Sequence, residues 1–132
     1  MVSPLFAPDD LLFNWQEEHH QEHIVTWLRD QKRLRRLTFD IGMEGVRLPA
    51  KLRKKMKEQG MDSGIPDLKI KVRGGILFHV ELKRWQGSVG AAQKVEHELL
   101  LELGHFVHIV KEKTPHRALL QVKELVRQYE AA

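Results

Sequence analysis

The chain has 132 residues, a formal net charge of +4 and no cysteine, with 42% hydrophobic and 30% charged residues. That length accommodates one domain with one core, while the lack of cysteine excludes disulfides and thiolate metal sites and leaves carboxylates, imidazoles and backbone oxygens as metal ligands. No apolar run reaches membrane-spanning length, the N-terminal residues lack the basic start of a secretory signal, and a pI near 9.5 suits a polyanionic partner, so a cytoplasmic globular protein with no membrane partner is expected.

Residues 1–13 read as an arm, because Pro4 and Pro8 interrupt regular structure while Leu11, Leu12 and Phe13 offer a short apolar anchor. Residues 14–132 are expected to form the single domain. From Asn14, an N-cap residue type, helical spacing puts Gln21, Ile24, Val25 and Leu28 on one stripe. RLTFDIGM leans toward a short strand, and the basic VRLPAKLRKKMKEQG toward a brief helix ending near Gly60. GIPDLKIKVRGGILFHVELKR then reads as a hairpin. Ser88 as N-cap, a stripe of Ala92, Val95, Leu99 and Leu103, and Gly104 as a stop predict a second long helix. HFVHIVKE is nearly continuous in Phe106, Val107, Ile109 and Val110, the pattern of an interior strand. Thr114 as N-cap, Pro115 at the first helical position, and Leu119, Val122, Val126 and Tyr129 turned inward predict a closing helix. The order is α-β-β-β-α-β-α, the brief helix aside.

The hairpin register follows from its alternation. Leu68, Ile70 and Val72 share one face of the first strand, and Ile76, Phe78, Val80 and Leu82 one face of the second. A two-residue turn at Gly74-Gly75 would set Leu68 opposite Glu81, so the apolar faces do not match. A three-residue loop, Arg73-Gly74-Gly75, pairs Val72 with Ile76, Ile70 with Phe78 and Leu68 with Val80. It also sets Asp67 opposite Glu81, with Lys83 on the same face. Facing carboxylates repel by up to roughly 1 kcal/mol, which Lys83 offsets in part and a divalent cation offsets more fully. A solvated polar face is the ordinary alternative for charges on alternating strands.

On the first helix Glu17 falls within the stripe of Gln21, Ile24 and Leu28, with Glu18 at its margin and the alternative should the helix phase be one residue out. Gln93 lies beside the stripe of the second long helix. His19 and His23 stand four apart, a zinc-chelating spacing, yet they lack the His-Glu-x-x-His arrangement and a third nearby ligand, which favours surface histidines. Arg33, Arg35 and Arg36, then Arg47, Lys51, Arg53, Lys54, Lys55 and Lys57, and Arg84 after the hairpin, are candidates for contacts to a phosphate backbone; solvated helix faces are the alternative.

In chain order, EEHHQEHIVTWL, KEQGMDSGIPDL, HVELKR, the Gln of AAQ and LGHFVHIV resemble the PD-(D/E)XK nuclease motif set. More closely they resemble the VRR-NUC family, the virus-type replication-repair nuclease domain, over about Glu17 to Val110. The resemblance implies an α/β fold with a restriction-endonuclease-like core, a central mixed sheet flanked by helices. It further implies catalytic roles for Glu17, Asp67, Glu81, Lys83 and Gln93. Mg²⁺ or Mn²⁺ would be held by Asp67, Glu81, the Leu82 carbonyl and Glu17 (or Glu18), with one metal or two left open and no small-molecule cofactor. The activity so implied is a structure-specific DNA endonuclease acting in DNA repair on branched DNA such as Holliday junctions, as a homodimer, in a bacterial or phage-infected cell. A non-catalytic DNA-binding module retaining the fold is the alternative.

Overall fold

The structure is a computed structural model describing residues 13–42, 49–60 and 64–132; the arm residues 1–12 and Arg47 lie outside the described residues. The described elements, in order, are α1 (Glu17–Arg33), β1 (Thr38–Ile41), α2 (Ala50–Glu58), β2 (Leu68–Val72), β3 (Ile76–Arg84), α3 (Ala91–Glu102), β4 (Phe106–Glu112) and α4 (Pro115–Glu130). This is the expected α/β order, with the brief basic helix standing as α2. The sheet order is β1-β2-β3-β4, antiparallel through β3 and parallel between β3 and β4, hence mixed. A parallel neighbour needs a crossover, and α3 supplies it.

The hairpin has the register that its apolar faces require: Leu68 faces Val80, Ile70 faces Phe78 and Val72 faces Ile76. Gly74 and Gly75 occupy the left-handed region at φ 88° and 75°, where a side chain would be strained. Leu68, Ile70, Val72, Phe78, Val80 and Leu82 thus form one buried face. α1 and α4 close over it, presenting Ile24 and Leu28 from one helix and Ala118, Leu119, Val122 and Val126 from the other. Each such large apolar side chain contributes about 1.5–3 kcal/mol by leaving water. Thr114 caps α4 as expected, its hydroxyl accepting the Arg117 N–H at 3.1 Å, with Pro115 following.

Three readings from the sequence are corrected, and the direction of a fourth feature, the stripe of α3, is found. α1 begins after Gln16 rather than Asn14, because the Gln16 N–H donates to His19 Nδ1 at 2.9 Å and starts the helix there. α3 begins after Gly90 rather than Ser88, since the Gln93 side-chain oxygen accepts the Gly90 N–H at 2.8 Å. Among the described residues β4 is an edge strand, paired with β3 alone, and Phe106 and Ile109 are each half exposed. The apolar stripe of α3 points outward, with Val95, Leu99 and Leu103 exposed by 68%, 48% and 65% and His97 the buried residue.

Close packing fixes the approach of α3 to the sheet. Gly64 has φ +85°, and a Cβ there would lie 2.4 Å from the carbonyl oxygen of Ala92 in the first turn of α3. Gly60 also has a positive φ, +106°, but open space around it. Gly60→Ala therefore meets only the backbone penalty of about 1–2 kcal/mol, whereas Gly64→Ala adds a main-chain clash and exceeds it. Urea denaturation of both variants measures the difference; equal losses would show that the Gly64 contact is unimportant.

Candidate functional site

The site begins just ahead of β2. The last backbone pair of the hairpin is Leu68 with Val80, so the Leu82 N–H, two residues further along β3, has no β2 residue to bond. Asp67 substitutes with its side chain: Oδ2 accepts the Leu82 N–H at 2.7 Å. The Asp67 carbonyl in turn accepts the Gly42 N–H at 2.8 Å, which ties the residue to the end of β1. The carboxyl group is thereby clamped beside the residue that follows Glu81.

Glu81 and Lys83 lie on the face of β3 opposite the apolar core and are 1% and 6% exposed. Lys83 Nζ stands 3.6 Å from Glu17 Oε1 and 3.8 Å from Glu81 Oε2, ion-pair rather than hydrogen-bond distances. Glu17 reaches it because α1 buries His20, Ile24 and Leu28, which turns the first residue of that stripe toward the end of β3. Glu18 is exposed.

Gln93 is fixed at both ends of its amide. Oε1 accepts the Gly90 N–H while Nε2 donates to Glu81 Oε2 at 3.1 Å, so the group that starts α3 also orients the acid. One turn on, His97 Nε2 lies 3.6 Å from Glu81 Oε1. The structure thus brings together Glu17, Asp67, Glu81, Lys83 and Gln93. It adds His97, which sequence reasoning passed over; the available signal was its spacing of four from Gln93, which puts both on one helix face. Burial, then the nearby Lys83 ammonium, lower the pKa of His97.

The other candidates fall elsewhere. Lys51, Arg53, Lys54, Lys55 and Lys57 are exposed on α2, a helix that buries no residue, and Arg84 is half buried at the end of β3. Leu82 points its side chain into the core, and its N–H is the group that meets Asp67. His19 Nδ1 is engaged at the start of α1, and no group of three or more His, Asp or Glu side chains among the described residues is arranged to hold a metal ion. The zinc reading of His19 and His23 therefore has no third ligand among the described residues.

Beside the site, between α1 and β1, runs a cleft of about 800 Å³. Among the described residues, Glu17, Glu18, Glu22, Asp40 and Asp67 line it, against the guanidinium of Arg29. Such a cleft repels a polyanion unless cations enter with it. Hard carboxylate oxygens of this kind suit Mg²⁺ or Mn²⁺ and disfavour soft metals. The donors are thus of the type that suits a hard divalent cation, but among the described residues no three of them are arranged to hold one: Asp67 bonds the Leu82 N–H, and Glu81 is held by Gln93 and Lys83.

No protein-family model matches the chain, and no curated protein matches it in sequence. A search of solved structures finds a protein described as a "VRR_NUC domain protein", with a TM-score of 0.61 and 20% identity, covering 87% of this chain and 91% of the other. The chain has the VRR-NUC fold: a mixed four-stranded sheet with flanking helices, of restriction-endonuclease type.

His79, also on the site face of β3, is buried and its pKa falls to about 4, through desolvation first and then the charges of Lys69, His105 and His97. Because the folded value lies below the unfolded one, the unfolded chain binds the extra proton between about pH 6.5 and pH 4, and stability falls as pH falls through that window. The contribution amounts to about 3 kcal/mol by pH 4. His79→Asn is expected to flatten the slope of unfolding free energy against pH over that range; an unchanged slope would place the titration elsewhere.

Proposed function

We propose that the protein is a Mg²⁺/Mn²⁺-dependent DNA endonuclease of the VRR-NUC type, hydrolysing phosphodiester bonds in branched DNA such as Holliday junctions and acting as a homodimer in DNA repair. The observation that carries the reading is the convergence of Asp67, Glu81 and Lys83 at the end of the hairpin. There Asp67 accepts from Leu82 and Lys83 lies between Glu17 and Glu81, within a fold of VRR-NUC type.

Asp67 and Glu81, with the Leu82 carbonyl and Glu17, would hold the cation. Such a cation would supply charge neutralisation at the phosphoryl oxygens and a lowered pKa for water. Gln93 keeps the Glu81 carboxylate turned into the site. Lys83 orients the attacking water toward phosphorus and counters the charge that builds on the phosphoryl group as the P–O bond opposite the incoming oxygen breaks. The exposed cations of α2, together with Arg84 and Arg47, grip the sugar-phosphate backbone without reading bases. A homodimer suits the substrate because paired cuts across a junction need two symmetric sites. The cytoplasm of a bacterial or phage-infected cell is the proposed location.

The test is incubation with four-way junction, flap and linear duplex DNA, in Mn²⁺ and in chelator. Metal-dependent cutting with preference for branched DNA is expected; cutting in chelator would refute the mechanism, and binding without cutting of any substrate would favour a non-catalytic DNA-binding module. Lys83→Ala is expected to lower the cleavage rate at least about 100-fold with DNA affinity retained. Charge reversal at Lys54 and Lys55 should act the other way, weakening binding for all sequences and reducing the salt slope by about 1 for each phosphate no longer neutralised.

A further inference from the structure

The tryptophans of this chain are not equivalent. Trp27 packs against the core with the cations of Arg36 and Lys123 over its ring, and Trp15 packs on Phe13 and His19. Trp85 stands outside the core cluster and is 50% exposed. Its ring contact among the described residues is the Lys113 ammonium, 5.1 Å from the centroid. An indole left half in water forgoes much of the burial that makes tryptophan stabilising.

The backbone holds this ring beside the site. β3 ends at Arg84 and the chain turns back at once, the Gly87 N–H donating to the Arg84 carbonyl at 2.9 Å. The turn is tight: a Cβ on Gly87 would lie 3.2 Å from that oxygen and 3.3 Å from Arg84 Cγ. Trp85, two residues past Lys83, is therefore within about 7 Å of it along the strand, the axial rise of about two nucleotides of one DNA strand.

The surroundings of the ring are cationic. Lys111 is exposed and pairs in register with Lys83 across β3 and β4, Lys113 lies over the indole, and Arg84 precedes it. The Glu112 carboxylate between the two lysines is turned away to accept from Gln121 Nε2. On the other flank, the cleft between α1 and β1 is acidic, so a polyanion reaches Lys83 most favourably from the side of Trp85. Cations that take phosphates, next to an aromatic ring that takes the face of a base, are the means by which a single strand is held without sequence preference. A paired duplex keeps its base faces inside the stack, so such a ring serves an unpaired base.

We infer that Trp85 stacks on an unpaired nucleobase next to the scissile phosphate, with Lys111 and Lys113 on the flanking phosphates. The inference rests on the nuclease reading and deepens it, because it makes unpaired nucleotides at a branch or flap what the site selects over linear duplex.

Binding is measured in chelator, where nothing is to be cut, by fluorescence anisotropy of a flap and of a linear duplex of equal length. 2-Aminopurine in the unpaired segment reports stacking through its quenching. Trp85→Ala is expected to weaken flap binding about 10-fold or more, to leave duplex binding within about 2-fold and to remove most of the quenching. Trp85→Tyr, which keeps a ring, should restore most of both, whereas Trp85→Leu, which keeps only apolar bulk, should not. The tyrosine and leucine variants carry the test should the alanine variant fail to fold. Lack of quenching by the wild-type chain overturns the inference, as do equal losses for flap and duplex or wild-type flap binding by Trp85→Leu. Selective loss of flap binding in Trp85→Ala, with a wild-type chain that cuts nothing in Mn²⁺, would keep the stacking and remove the nuclease reading. Metal-dependent cutting with flap binding unmoved by Trp85→Ala would do the reverse.

Discussion

The structure depends on the register of one hairpin. A strand's side chains alternate between faces, so a slip of one residue between β2 and β3 would carry Glu81 and Lys83 into the apolar core and Leu82 out of it. The three-residue turn prevents this, its glycines taking the backbone angles that a side chain would resist. In the correct register the ladder stops at Leu68 and Val80, and the Asp67 carboxylate takes over the bonding of β3 at Leu82. A single hydrogen bond therefore serves both as the end of a sheet ladder and as the clamp on a candidate ligand.

The same strand explains how acids and a lysine come to be buried. β3 is flanked by β2 and β4 and covered on one face by α1 and α4, so its other face needs only α3 to become largely dry. An ionised group there requires partners. Glu81 has Gln93, Lys83 and His97 around it, and Lys83 has Glu17 and Glu81. Carboxylates still outnumber ammonium groups, and the adjoining cleft adds more acid.

Legibility in the sequence followed the strength of the constraint. The hairpin register was readable because period-two alternation on both strands admits one matching. Glu17 was readable, with Glu18 as the alternative, because helical phase narrows a position without choosing between adjacent residues; contact with Lys83 makes the distinction. Caps were misplaced because Asn14 and Ser88 are the preferred residue types, whereas here His19 and Gln93 bond backward to Gln16 and Gly90 and set the start of each helix. β4 was read as interior from its continuous apolar run, yet among the described residues it pairs only with β3, on one side.

The outward stripe of α3 has a physical origin that its period does not carry. A hydrophobic stripe reports which side of a helix leaves water in the functioning molecule, and nothing in its period says whether the covering surface belongs to the same chain. For α3 the two requirements compete for one cylinder. The face toward β3 has to present hydrogen-bonding groups to Glu81, so Gln93 and His97 occupy it, and the apolar residues are displaced to the opposite side. A helix that packed Val95, Leu99 and Leu103 on the sheet would leave Glu81 buried without the Gln93 amide, at a penalty of several kcal/mol for an ion held in a dry site. The polarity of the site thus dictates the apolarity of the outer surface, and a helix built in this way gains its full share of hydrophobic stabilisation only when something covers that surface.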